Sequence, residues 1–92
     1  MEIASGFLLK QKYPNPFNPT TTIQFEMSSS ANVVLEVFNI AGQRVHSYTP
    51  GRINDGVHSY IFDAANLSSG MYLYRLSADN ATVATRKMML VK

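Results

Sequence analysis

Apolar side chains recur at every second position along most of this chain, the spacing of half-buried β-strands rather than of helices. Phe7, Leu9 and Gln11 alternate with Leu8, Lys10 and Lys12 in a short opening strand. Residues 21–27 place Ile23, Phe25 and Met27 on one face, and residues 33–38 do the same with Val33, Leu35 and Val37. Between them, Ser28-Ser29-Ser30-Ala31-Asn32 is a small polar turn. Asn39-Ile40-Ala41-Gly42 reads as a second turn, in which Gly42 is free to take a positive φ. Residues 43–48 make a shorter, more polar strand suited to a sheet edge.

The second half continues the pattern. Residues 50–56 are rich in turn formers and read as a connection, with Asn54-Asp55-Gly56 its sharpest signal. Residues 57–63 form a strand with Tyr60 and Phe62 on one face. Residues 64–70 read as a compact loop plugged by Leu67, and residues 71–76 as a strand facing inward through Tyr72, Tyr74 and Leu76. Asp79-Asn80 suits a tight hairpin turn. Residues 82–91 close the chain as a final strand with Met88 and Leu90 facing in. Seven short strands, with turn signals about every ten residues and no helical periodicity, predict an all-β, seven-stranded antiparallel immunoglobulin-like β-sandwich. The immunoglobulin Cys and Trp core residues are absent.

One segment breaks the alternation. Tyr13-Pro14-Asn15-Pro16-Phe17-Asn18-Pro19 holds three of the four prolines. Each proline locks its own φ and drives the residue before it toward extended geometry. Helix and central strand are both excluded here, because the prolines lack backbone donors. The segment predicts a stiff clasp at the entrance to the domain, gripping the core through Tyr13 and Phe17 and blunting an edge. Arg44 and His46 are expected to protect another edge.

Composition narrows the function classes. Ninety-two residues make one domain with little stability to spare. With no cysteine there is neither a disulfide framework nor a thiolate metal site. The net charge of +2 is spread along the chain without the dense basic stripe of a nucleic-acid binder. No apolar run approaches the ~20 residues that span a bilayer. Residues 1–6 lack a basic region and a long apolar core, so they read as a linker stub and not as a signal peptide. The domain is expected to occupy residues 7–92.

Candidate chemistry is sparse. His46 and His58 lie on separate strands with no third ligand nearby, so both read as surface or edge histidines and not as zinc ligands. Asp55, Asp63 and Asp79 fall in turns that they stabilise locally, with a calcium site left open as the lesser alternative. No G-x-S-x-G elbow and no phosphate-binding glycine loop occurs. Catalytic, cofactor and metal sites are therefore not expected. The tyrosines could form a sugar-binding platform, but Tyr60, Tyr72 and Tyr74 share parity with plainly apolar residues and read as core. Tyr48 alone is expected to be exposed.

The order of several motifs adds a resemblance. The carriers are the clasp of residues 13–19 with Thr20-Thr21-Thr22-Ile23-Gln24-Phe25, then residues 33–45 ending in Asn39-Ile40-Ala41-Gly42-Gln43-Arg44-Val45. Gly56-Val57-His58 follows, leading to Phe62-Asp63-Ala64; then Leu67-Ser68-Ser69-Gly70-Met71-Tyr72-Leu73-Tyr74-Arg75-Leu76; last is Arg86-Lys87-Met88-Met89-Leu90-Val91-Lys92. Across residues 7–92 the chain resembles the type A C-terminal sorting domain of the type IX secretion system of Bacteroidota and related bacteria. Lys12 and Glu26-Met27-Ser28 depart from the family pattern, outside its most specific pieces. The flagellar hook-cap immunoglobulin-like domain shares the clasp and the sandwich.

The resemblance implies a non-catalytic address tag, fused behind a cargo protein and recognised by the outer-membrane translocon. A sortase-like cysteine peptidase then removes it, cutting within residues 1–9, with release or surface attachment of the cargo. Transit through the periplasm and a final place outside the cell or on its surface are implied. Expected partners are that translocon, the peptidase and the cargo, with no nucleic acid, no membrane insertion and at most a weak edge-strand dimer. The recognition element is expected to be Arg86, Lys87, Met88, Met89, Leu90, Val91 and Lys92, acting by strand addition. On that view, deleting Leu90, Val91 and Lys92 blocks export without abolishing folding. Gly42, Gly56, Gly70 and Tyr72 are the family's turn and strand positions. The alternative readings are a carbohydrate-binding or spacer module of a secreted enzyme, and a hook-cap-like structural domain.

Overall fold

The computed structural model describes residues 19–91 in full and residues 3–4 and 7–9 through their backbone. Six strands of eight to ten residues carry the fold: β3 (Thr20–Met27), β4 (Ala31–Asn39), β5 (Arg44–Ile53), β6 (Gly56–Asp63), β7 (Gly70–Ala78) and β8 (Ala81–Leu90). Two short segments precede them, β1 (Ile3–Ala4) and β2 (Phe7–Leu9). The expected count of seven is corrected to six full strands, because the opening strand pairs over three residues only. No helix occurs among the described residues.

The strands form two antiparallel sheets, one in the order β1-β2-β3-β6 and the other β5-β4-β7-β8. The chain crosses from sheet to sheet after β3, after β5 and after β6, while β4-β5 and β7-β8 are hairpins within one sheet. The alternation read from the sequence sets which side chains meet between the sheets. Ile23, Phe25, Met27 and Phe62 come from the first sheet. Val33, Leu35, Val37, Tyr74, Leu76, Met88 and Leu90 come from the second, and all join one buried cluster. Leu67 packs against it from the loop after β6, as the plug expected there. Each large apolar side chain fully buried in this layer contributes roughly 1.5–3 kcal/mol.

Two of the three register shifts in the second sheet refine the pattern. In β5, Thr49 and Pro50 together oppose Val34, between the pairs Leu35↔Tyr48 and Val33↔Gly51. The strand therefore runs on through Ile53, where the turn formers predicted a connection. The correction has a simple cause: Pro50 sits in a bulge of an edge strand, where a missing backbone donor is tolerated, and Gly51 takes φ +90° without strain.

In β8, Leu76 pairs with Ala84 and Ser77 with Thr82, leaving Val83 as an extra residue. Val83 and Ala84 are accordingly both buried although they are neighbours in sequence. The hairpin before them turns on Asp79 and Asn80 at φ 50° and 68°, the paired positive angles of a two-residue turn that matches strand twist. The Asp79 carboxylate also accepts a bond from the Asn32 amide at 2.9 Å.

Deleting Val83 removes the extra residue and makes the ladder between β7 and β8 continuous, with Leu76 still opposite Ala84 and with Met88 and Leu90 still facing the core. The expected outcome is a cooperative unfolding transition retained by circular dichroism, at a midpoint lowered by the loss of one buried side chain. A Val83→Ala variant, which keeps the extra residue, is likewise expected to retain a transition at a lower midpoint.

Candidate functional site

β8 lies at the outer edge of the second sheet, paired on one side with β7. Its last residues divide by parity. Met88 and Leu90 are buried against the core, opposite Tyr72 and Gly70. Lys87, Met89 and Val91 are exposed, and Lys87 and Met89 stand opposite Leu73 and Met71 on the outer face. Arg86 is half-buried on the core-facing side, opposite Tyr74. A charge aimed inward on an edge strand discourages pairing with a foreign strand. Lys92 lies outside the described residues. The burial of Leu90 changes what a truncation means: removing residues 90–92 takes out a core side chain, so that deletion tests folding together with recognition.

The outer face of this sheet carries a polar ladder beside an apolar end. Glu36 accepts from Arg75 at 2.8 Å and from Arg44 at 3.2 Å. The Arg75 bond is the main cause that holds its carboxyl below the usual range, with Arg44 adding to it against the cost of burial. The Arg75 guanidinium also lies over the Phe38 ring, 4.8 Å from its centroid. Past this ladder, β4 ends in the turn expected at residues 39–42. The Asn39 side-chain carbonyl accepts from the amides of Ala41 and Gln43, and its side-chain amide donates to Gln43 Oε1. Gly42 takes the positive φ predicted for it, +85°. Ile40, at the tip, is 81% exposed.

The remaining family positions that the structure describes lie at strand starts, in a turn and in the core. Residues 13–18 of the proline clasp lie outside the described residues. Its last member, Pro19, accepts the Ala64 amide at 2.9 Å and so ties the start of β3 to the loop after β6. Gly56 and Gly70 open β6 and β7. Tyr72 is buried, and its hydroxyl donates to the Ser68 carbonyl at 2.6 Å across that loop.

The two open edges on the opposite flank are joined by aromatic side chains. Tyr48 of β5 stacks on Tyr60 of β6 with centroids 4.0 Å apart, so the expectation of an exposed Tyr48 is corrected: it is half-buried. With those rings spent on each other and Tyr72 and Tyr74 in the core, no open sugar platform is built from these four. His46 Nε2 and the Tyr60 hydroxyl are 2.6 Å apart in one hydrogen bond, and the His46 ring meets Phe62 edge-on. Burial pushes the His46 pKa below 6.5 and, with Tyr48 adding to it, pushes Tyr60 up. His58 instead bonds the Asn54 carbonyl at 2.7 Å, over the short connection between β5 and β6. Among the described residues, no three His, Asp or Glu side chains converge as metal ligands would.

Comparison with known families gives this geometry a context. The model of the secretion system C-terminal sorting domain matches residues 11–92. The chain belongs to that family. Membership makes it a sorting signal of type IX secretion, which implies a cargo fused upstream, interaction with the secretion machinery, and export to the cell surface or beyond. Domains of the family are generally non-catalytic. A search of curated proteins returns no match. The clasp, the turn at Gly42 and the terminal strand, which carried the resemblance, fall within the matched span or open it.

Two measurements probe the anchoring groups. Tyr72→Phe leaves the Ser68 carbonyl without its partner and is expected to lower stability by about 1–3 kcal/mol in urea unfolding. His46 is held neutral by the fold, so above pH 6.5 it costs nothing, and as pH falls below that value the unfolded chain takes up the proton first. Stability should therefore fall on acidification through the window just below pH 6.5, and His46→Gln should flatten that part of the curve.

Proposed function

We propose that this domain is a non-catalytic address tag, recognised in its folded form by the type IX outer-membrane translocon through the terminal strand, and removed afterwards by a sortase-like peptidase. The observation that carries the reading is the family match over residues 11–92 combined with the double use of β8. Met88 and Leu90 anchor the strand in the core, which holds Lys87, Met89 and Val91 in fixed positions on the surface. A recognition element arranged this way loses little conformational entropy on binding. Residues 7–92 then form the tag and residues 1–6 belong to the linker, with the cut within residues 1–9. The cargo crosses the periplasm and is released or attached at the surface.

We further assign the fold to the immunoglobulin-like sandwiches. The strand order β2-β3-β6 facing β5-β4-β7-β8 corresponds to their A-B-E and C′-C-F-G arrangement. Tyr72, near the start of the strand equivalent to F, bonds a backbone carbonyl four residues upstream, as in the tyrosine corner of such domains.

The test separates recognition from folding. The chain is fused behind a reporter in a bacterium that carries the type IX machinery, and Val91 and Lys92 are removed while Leu90 is kept. The reporter is expected to accumulate in the periplasm, while the purified truncated domain unfolds within a few degrees of the full chain. Undiminished export of that truncation overturns the terminal-strand reading.

A further inference from the structure

Among the described residues, four of the six exposed large apolar side chains gather at one end of the second sheet: Ile40, Met71, Met89 and Val91. The register brings them together. Met71 stands opposite Met89, Val91 follows the end of β8, and Ile40 shares with Met71 a cleft of about 240 Å³ between the turn after β4 and the Ser68-Ser69-Gly70 loop. The other two, Val57 and Ile61, lie on β6 of the other sheet.

Folding does not account for Ile40. It is 81% exposed, yet the turn beneath it is built by bonds to every polar group of Asn39. A rigid turn that displays an apolar side chain is a preorganised anchor of the kind that dominates protein interfaces. The charges beside it are mostly of one sign. Arg44 and Arg75 share the single carboxylate of Glu36, and Lys87 lies next to the patch, opposite Leu73.

We propose that this end of the sheet is one composite docking surface, in which Ile40 and Met71 act together with the outward residues of β8, and that its occupant is an apolar protein surface rimmed by carboxylates on the type IX translocon. The proposal rests on the sorting reading and extends it: the address is a folded surface drawn from β4, β7 and β8, and the terminal residues are one side of it. Charge complementarity selects an acidic rim, and the cleft beside Ile40 is the pocket a partner's apolar side chain enters.

The test uses the reporter fusion and two readouts, its secretion and its retention on purified outer membranes prepared from cells that carry or lack the translocon. Ile40→Ser with Met71→Ser is expected to weaken retention about tenfold on translocon membranes alone and to reduce secretion, with the domain's thermal midpoint close to that of the unchanged chain. Lys87→Glu is expected to weaken retention in the same direction, more at low salt than at high salt. If Met71→Ser perturbs folding, Ile40→Ser alone serves, because that side chain is almost wholly in solvent. Normal retention and secretion of the serine variants, while removal of Val91 and Lys92 still blocks export, overturns the composite surface and leaves the sorting reading standing. Normal export of both kinds of variant overturns both. If the chain dimerises in solution and the serine variants abolish the dimer without affecting retention, the patch is a contact between copies and the proposal fails.

Discussion

Among the described residues, the two sheets bury their apolar faces chiefly against each other. With no cysteine and only 92 residues, the domain depends on one apolar layer held between them, and small domains of this kind have little stability in reserve. Ile23, Phe25 and Phe62 from one side meet Leu35, Val37, Tyr74 and Leu76 from the other. Every other feature is constrained by that layer, because a strand that turns these residues inward must turn their neighbours outward. The outer ladder of Arg44, Glu36 and Arg75 is thus a consequence of Val37 and Tyr74 facing the core.

The most consequential adjustment to this rule is the extra residue at Val83. The two-residue turn at Asp79 and Asn80 sets the parity of β8 as it leaves the hairpin, and unbroken pairing would have continued it to the end. Lys87 and Met89 would then face the core, and the charge of Lys87 would have to be buried or withdrawn. By absorbing one residue between Thr82 and Ala84, the strand delivers Met88 and Leu90 to the interior instead. A local irregularity near the start of β8 therefore decides which side chains are displayed at its end, several residues away.

Much of this was legible in the sequence, and what was not has identifiable causes. Period-two alternation was enough to place Ile23, Phe25, Val33, Leu35, Tyr72, Tyr74, Met88 and Leu90 inward, because burial on one face leaves a direct mark on residue type. Gly42 and Asp79-Asn80 were readable as turns because positive φ restricts the residues that fit. Pro50 and Gly51 misled, since turn formers are also tolerated in a bulged edge strand, and only the sheet order says which strand is an edge. Tyr48 misled for a related reason. Its partner, Tyr60, lies on the other sheet, and contact across the flank of two sheets leaves no periodic trace along the chain. The patch around Ile40 and Met71 was hidden in the same way, because it is assembled by register from three strands.

The family match and the packing together bear on what kind of signal this is. A linear tag can be read whether or not the chain around it is folded. Here the terminal residues alternate between core and surface, so the surface set has defined positions only while Met88 and Leu90 are seated. Strand addition at the outer edge of β8 must also contend with the inward charge of Arg86, which protects that edge. Side-chain recognition of the outer face meets no such obstacle. It asks nothing of the ladder between β7 and β8 and leaves the core undisturbed. An address of this form is present when the domain is folded and lost when it is not, which couples delivery of the cargo to the integrity of the small apolar layer beneath it.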